Sequence, residues 1–251
     1  MKKGVVQLKN NLTDNRRQKI YIPHKGGKKE RKNMKYSVNV NVLEQPVSNV
    51  KGFASVVFAD QFKVSNIAIV ENKNGELFVS MPRYASSKDS EYHDICNPIT
   101  KEFRADLYGN ILTAFTQAQR GGEKNMTVGN QKDTQLAYNV KVTPFEREGS
   151  NIRGLGRIYL DDRFVINNVS LIQGKRGVFV SMPSYKTNQK DEQGKSIYQE
   201  ICFPVTTEVR EKLYGDIRGA YQEAKKNTTK QMQTAQTAPY RNAPEQSNPY
   251  R

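Results

Sequence analysis

The side chains of this 251-residue chain that could do chemistry are mostly cations, and they recur in matched places. Arg83 and Lys88 follow one Met-Pro pair, and Lys186 and Lys190 follow another. Each polar stretch leads on to a segment of helical period, which holds Lys101 and Arg104 near its start in the first case and Arg210 and Lys212 in the second. Cations at a helix start and on an adjoining loop can hold phosphates and position bases, so these eight residues are the candidate nucleic-acid contacts. The competing reading is a solvated helix face with surface charge pairs, because Glu102, Asp106, Glu208 and Glu211 sit among them.

Catalysis has little to work with. Of the 2 histidines, His24 lies in the N-terminal segment and His93 in an extended run, and neither has the spaced partners of a zinc site or a general base. Ser181 stands between Val180 and Met182 without the glycines of a nucleophile elbow. Gly26-Gly27-Lys28 lacks the frame of a phosphate loop. Asp94 and Glu200 read as edge or cap residues. Tyr84, Tyr108, Tyr185 and Tyr214 could stack bases, but equivalent tyrosines in a repeat equally suit a shared core or domain interface. The expectation is a non-enzymatic protein with no catalytic residue, no metal and no cofactor.

The elements that must position these side chains are written twice. Gly75 to Pro82 reads Gly-Glu-Leu-Phe-Val-Ser-Met-Pro and returns as Gly-Val-Phe-Val-Ser-Met-Pro from Gly177 to Pro183. Phe62 matches Phe164, Ile95-Cys96 matches Ile201-Cys202, Pro98 matches Pro204, and Leu107-Tyr108-Gly109 matches Leu213-Tyr214-Gly215. A tandem duplication of this kind points to an intrachain pseudo-dimer with symmetric surfaces.

Tyr36, Val38, Val40 and Val42 alternate with Ser37, Asn39 and Asn41, the pattern of a half-buried strand. Phe53–Phe58 and Phe62–Val70 are β-branched and aromatic, and Ala59-Asp60-Gln61 between them predicts a hairpin. A turn at Asn72–Gly75 leads to a strand over Leu77–Met81 that Pro82 stops. Arg83–Glu91 reads as a flexible polar loop, and Tyr92–Cys96 as extended. The period then changes: Phe103, Leu107, Ile111, Ala114 and Ala118 form one apolar helix face, with Thr100 as its cap and Glu102 complementing the dipole. The second copy predicts a strand near Tyr138–Val142, a hairpin over Gly154–Ile172, a strand over Val178–Met182 and a helix carrying Val209, Leu213, Ile217, Ala220 and Ala224. Its loop after Met-Pro, Ser184–Ile197, is longer and wetter. Residues 120–134 read as a linker.

A net charge of +15 conceals an uneven distribution. Residues 1–35 hold 12 Lys/Arg against 2 Asp/Glu and residues 225–251 hold 5 against 1, which leaves 23 against 22 between them. A sequence-blind attraction to polyanions therefore resides in the tails or in local patches. Residues 1–34 and 226–251 read as tails too polar to fold. Cys96 and Cys202 occupy one repeat position beside Ile95 and Ile201 and suit a core. With no membrane-length apolar run and no hydrophobic leader, the expectation is a cytoplasmic protein that does not engage a membrane.

The order of hairpin, Gly, Leu-Phe-Val-x-Met-Pro, polar loop, aromatic-x-Asp-Ile-x-x-Pro and helix resembles the stage V sporulation protein G (SpoVG) septation-regulator family, in two copies. The resemblance covers Tyr36 to about Ala118 and Gln135 to about Lys225. It implies an α+β fold of two tandem modules, each an antiparallel β-sheet with a C-terminal α-helix, at 35–119 and 135–225. It further implies a DNA-binding regulator of septation or sporulation, with RNA as a second partner and dimerisation through the sheets. The family's Thr-Arg-x-Lys-Ile run at the helix start is matched by Arg104, Arg210 and Lys212, whereas Asp106 replaces the lysine in the first copy. Ser184, Lys186 and Thr187 keep much of the family's run after Met-Pro. Basic positions on the strands read instead as Asn39, Asn41, Ala68 and Ser170, so the core pattern is kept while the basic surface is thinned.

The function this implies is nucleic-acid-binding regulation. The alternative is a protein–protein adaptor, in cell division or a mobile-element module, that has lost nucleic-acid binding. Further self-association of the whole chain is open on either reading. Met34-Lys35-Tyr36 begins where the family's first strand begins, so translation from Met34, with the first 33 residues an upstream misplacement, stands beside the basic-tail reading. Mass spectrometry of the natural protein separates the two: a peptide spanning Asn33 and Met34 establishes the longer chain, and a mature N-terminus at Met34 removes the basic arm.

Overall fold

The computed structural model describes residues 34–46, 48–86, 90–129 and 135–236, with side chains described as far as residue 228. The tail expected at the N-terminus, apart from Met34, and the residues beyond 236 lie outside that set.

In the first copy, β1 (Tyr36–Val42) buries Tyr36, Val38 and Val40 and exposes Asn39 and Asn41, as its alternation requires. β2 (Val50–Phe58) and β3 (Phe62–Glu71) form the expected hairpin with Phe58 paired to Phe62. Its turn residues Ala59 and Asp60 have φ of 46° and 58°, the left-handed geometry that suits the twist of the flanking strands. β4 (Leu77–Ser80) pairs with β3. After Pro82 come β5 (Arg83–Ala85), β6 (Tyr92–Asp94) and β7 (Cys96–Pro98). α1 (Lys101–Gln119) then buries Phe103, Leu107, Ile111, Ala114 and Phe115. The hydroxyl of Thr100 accepts from the Phe103 amide at 3.2 Å, and Gly121 with φ 81° turns the chain out of the helix toward β8 (Asn125–Val128).

The second copy repeats the plan as β9 (Tyr138–Pro144), β10 (Ile152–Leu160), β11 (Phe164–Gly174), β12 (Gly177–Ser181), β13 (Ser184–Lys190), β14 (Ser196–Glu200), β15 (Cys202–Pro204) and α2 (Thr207–Gln236). Its hairpin turn uses Asp161 and Asp162 with φ of 48° and 52°. Asn66 and Asn168 stand at corresponding places with φ 59° in both, beside matching register shifts in the two hairpins. Asparagine tolerates that backbone region, so both bulges are written into the residues themselves.

The copies are joined by exchange. β7, from the first copy, pairs antiparallel with β11 of the second, and β15 returns the favour to β3. The flanking hydrogen bonds obey the same symmetry. Asn167 N donates to Ile95 O at 2.7 Å and Ser65 N to Ile201 O at 2.8 Å, while Ile99 N donates to Arg163 O and Val205 N to Gln61 O, both at 2.8 Å. The rings of Phe58 and Phe164 meet with centroids 4.9 Å apart. Cys96 and Cys202 are free, fully buried and in contact, and burial first, then the hydrogen bond with Cys96, pushes the Cys202 thiol well up. One apolar core therefore runs through both copies.

Three segments differ from expectation. The stretch expected as a linker contains β8, which pairs with β1 from Tyr36–Val128 to Asn39–Asn125. Four residues are too few to show a period, but Met126 and Val128 half-bury themselves along the edge of β1 while Asn125 and Thr127 stay exposed. The two loops after Met-Pro are paired ribbons, β5 with β6 and β13 with β14. In the longer ribbon the Asp191 carboxylate accepts from the amides of Gln193 at 2.9 Å and Lys195 at 2.8 Å, so a polar composition builds a tight turn. Finally, α2 continues to Gln236, past the module end expected at 225. Lys, Gln, Met and Ala sustain a helix, and no proline intervenes before Pro239.

Gly52 on β2 lies directly under Phe115 of α1 and against the backbone of β1. A Cβ there would lie 2.4 Å from Asn41 O and 2.5 Å from Phe115 Cε2, whereas at the equivalent Gly154 the nearest atoms are side-chain carbons at 3.1 Å. Gly52→Ala is therefore expected to cost about 3 kcal/mol and Gly154→Ala about 1 kcal/mol. Urea unfolding of the two variants measures the difference, and equal losses would show that α1 is not held so tightly against β2.

Candidate nucleic-acid interface

Each copy presents its candidate residues on two elements, a ribbon and the helix that follows it. In the first copy, Arg83 lies exposed on β5, its guanidinium carbon 5.4 Å from the Tyr92 ring centroid and its Nη2 donating to Ser80 Oγ at 3.3 Å. Tyr84 and His93 face each other across the ribbon with centroids 5.7 Å apart. Lys88 lies outside the described residues. In the second copy, exposed Lys186 pairs with Tyr198 across the ribbon and exposed Lys190 with Ser196. Tyr185 donates to Gln199 Oε1 at 2.8 Å.

The helix starts hold the other cations, and two of these are engaged inward. Arg104 Nη2 donates to the Pro98 carbonyl at 3.1 Å, which ties α1 to the exchanged strand β7. Arg210 donates from Nη2 to Glu200 Oε2 at 3.2 Å and from Nη1 to the Tyr214 hydroxyl at 3.1 Å, with its guanidinium carbon 5.5 Å from that ring's centroid. Glu200 ends β14, so this arginine clamps the ribbon base to α2. The first copy has the same trio in Asp94, Arg104 and Tyr108. Burial raises the Tyr108 phenol, with Arg104 lowering it and Asp94 raising it again. Burial likewise raises Tyr214, with Glu200 adding to the rise and Arg210 opposing it. Lys101 is exposed on the first turn of α1, and Lys212 is exposed with its Nζ 5.9 Å from the Tyr138 ring centroid.

A second pair of contacts fixes each helix to its first strand. Tyr36 donates to Asp106 Oδ2 at 2.6 Å and accepts from Asn110 Nδ2 at 2.8 Å, while Tyr138 donates to Asp216 Oδ2 at 2.6 Å. Asp106 and Asp216 sit one helical turn apart in the repeat, so each copy anchors the same tyrosine with a carboxylate from a different place. Asp106 thus has a structural partner where the resemblance expects a lysine.

Of the four tyrosines considered for stacking, Tyr108 and Tyr214 pack against the core, Tyr185 is half-buried, and Tyr84 is 40% exposed. Among the described residues the aromatic rings turned most fully to solvent are two others, Tyr92 at 67% and Tyr198 at 63%. They share one repeat position, three residues before the isoleucine of the Ile-Cys pair, and that repetition was the signal in the sequence that could have found them. Among the described residues no group of three His, Cys, Asp or Glu could hold a metal ion, and no helix is long and apolar enough to cross a membrane.

Comparison with known proteins matches this architecture to one family twice. The SpoVG family model matches residues 34–117 and 136–223. A protein named septation protein SpoVG from Phytoplasma australiense is 34% identical over 109 residues, 43% of this chain and 95% of that protein. Proteins of the same name from Lachnospira eligens and Clostridium beijerinckii are 33% and 32% identical over 85 residues, 34% of this chain and 89% and 86% of theirs.

The tyrosine anchors carry a pH dependence. Burial first, and then the Asp106 hydrogen bond, holds the Tyr36 phenol far above its ordinary range, and the same two causes act on Tyr138 with Asp216. The folded chain keeps these protons where the unfolded chain loses them, so stability is level below the ordinary tyrosine range and falls as pH rises through it. For Tyr36, which is 1% exposed, the slope is about 1.4 kcal/mol per pH unit above about pH 10. Tyr36→Phe should flatten that slope in urea titrations repeated between neutral and alkaline pH, and an unchanged slope would remove the tyrosine from the account.

Proposed function

We propose that this chain, which belongs to the SpoVG family and carries two copies of its domain in tandem, is a cytoplasmic nucleic-acid-binding regulator in septation. Its relatives are named for septation, and the same process is assigned here on that kinship. The observation that supports nucleic acid as the ligand is the repeated pairing of an exposed tyrosine with a cation on a ribbon: Tyr92 under Arg83, and Tyr198 opposite Lys186. An aromatic face accepts a base by stacking, and a neighbouring cation takes the phosphate.

Charge accounting favours the ribbons over the helix starts. Arg104 and Arg210 spend their donors on Pro98, Glu200 and Tyr214, so they act chiefly as struts that aim the ribbons. Lys101 and Lys212 remain on the surface to extend the contact. No chemistry on the ligand is part of this reading, and no cofactor is needed. The rival reading, a protein–protein adaptor, draws on the near balance of 23 basic and 22 acidic residues in the central region.

Fluorescence anisotropy with labelled random DNA and RNA pools, titrated across salt, separates the two. The Tyr92→Ala/Tyr198→Ala variant is expected to bind about 10-fold more weakly than the unaltered chain, the scale of a lost base stack. Lys186→Glu/Lys190→Glu should weaken binding and also reduce its salt dependence. If residues 36–224 alone bind no pool at physiological salt, the adaptor takes the place of this proposal.

A further inference from the structure

β1 and β9 are the same strand in the two copies, yet their outer edges end differently. β1 is paired on both sides, with β2 and with β8, whereas among the described residues β9 pairs with β10 alone. The difference begins at the helices. The chain leaves α1 at Gly121 and comes back as β8, but α2 runs on to Gln236 and no strand returns among the described residues. Burial registers the missing neighbour: Tyr36, Val38 and Val40 are each 1% exposed, while Tyr138, Val140 and Val142 are all half-buried.

The direction of the unpaired backbone groups follows from the bonds at either end of β9. Asp161 N donates to Ala137 O at 2.8 Å, and Phe145 N donates to Arg153 O at 2.9 Å. Odd-numbered residues of β9 therefore turn toward β10. Tyr138, Val140 and Val142 turn their N–H and C=O groups outward, and Pro144 has no N–H to offer.

We propose that β9 pairs antiparallel with β9 of a second copy of this chain, across a twofold axis at Val140. β8 displays what this edge accepts: an extended antiparallel segment with apolar residues, Met126 and Val128, alternating with polar ones. β9 has that same alternation, with Tyr138, Val140 and Val142 on one face and Asn139, Lys141 and Thr143 on the other. A rotation at Val140 sets Val140 against its counterpart and Tyr138 against Val142 of the second copy, so every outward N–H meets an outward C=O. On the outer face Asn139 meets Lys141 of the second copy, so like charges do not confront each other. Lys141 is in addition drawn back over its own sheet, its Nζ 5.3 Å from the Tyr159 ring centroid. This contact lies between chains and uses neither of the exchanged strands.

Sedimentation velocity on the full chain, loaded from about 1 to 100 µM to suit a contact below standard interface size, should show a monomer passing to a dimer. Val140→Pro deletes the N–H at the axis and leaves the pairing with β10 in place, so it should raise the dissociation constant at least tenfold while the thermal melt of the chain is kept. Asn139→Cys/Lys141→Cys gives a readout that does not depend on proline tolerance. The two positions face each other across the axis at a non-hydrogen-bonded pair, with Cα atoms about 4.5 Å apart, inside the range a disulfide spans. Mild oxidation should then give a covalent dimer linked 139 to 141. A chain that stays monomeric throughout and does not cross-link overturns the proposal. So does a dimer indifferent to Val140→Pro, or a monomer whose Val140 amide is protected from hydrogen exchange, since that would mean another segment already covers the edge.

Discussion

The architecture depends on two three-residue strands being given away. β7 and β15 each run from a buried cysteine to a buried proline, and each completes the sheet of the opposite copy. Because β7 leads within three residues into α1, the donation also decides where that helix begins. The helix starts beside the sheet of the other copy and then packs along β1 of its own, where the Tyr36–Asp106 hydrogen bond holds it. Each helix therefore spans the seam between copies, and neither sheet has a complete core without the other. Phe58 packs against Phe164 in the single core that this arrangement creates, and both buried cysteines belong to it.

Much of this was legible because the core obeys simple periods. The alternation of Tyr36, Val38 and Val40, the pairing of Phe58 with Phe62, and the spacing of Phe103, Leu107 and Ile111 each lead to the observed element. What escaped had a common cause, since its partners lie far away in sequence. β8 is four residues whose only reason to be a strand is the uncovered edge of β1. The ribbons are polar because most of their side chains meet water, so no apolar alternation announces them. The exchange is invisible to any local pattern, for Cys96-Asn97-Pro98 would read identically if it joined its own sheet.

The candidate interface was half legible for a similar reason. Cations can be counted from residue types, but whether a guanidinium is spent on a neighbour depends on which carboxylate the fold brings to it. Arg210 meets Glu200 ten residues away because a strand and a turn intervene, and Arg104 finds a carbonyl on the donated strand. Tyr92 and Tyr198 are the reverse case: ordinary strand-forming residues by type, set apart only by lying on ribbons with no layer above them.

Covalent continuity gives the exchanged strands a property that two separate subunits trading the same segments would lack. Subunits part on dilution, because their association is second order and their folded fraction tracks total concentration. Here the two halves are tethered, and each meets the other at an effective concentration set by the connecting chain, about millimolar for a short tether. Folding of the seam is unimolecular, so a handful of molecules per cell keep the same shape as a crowded solution of them.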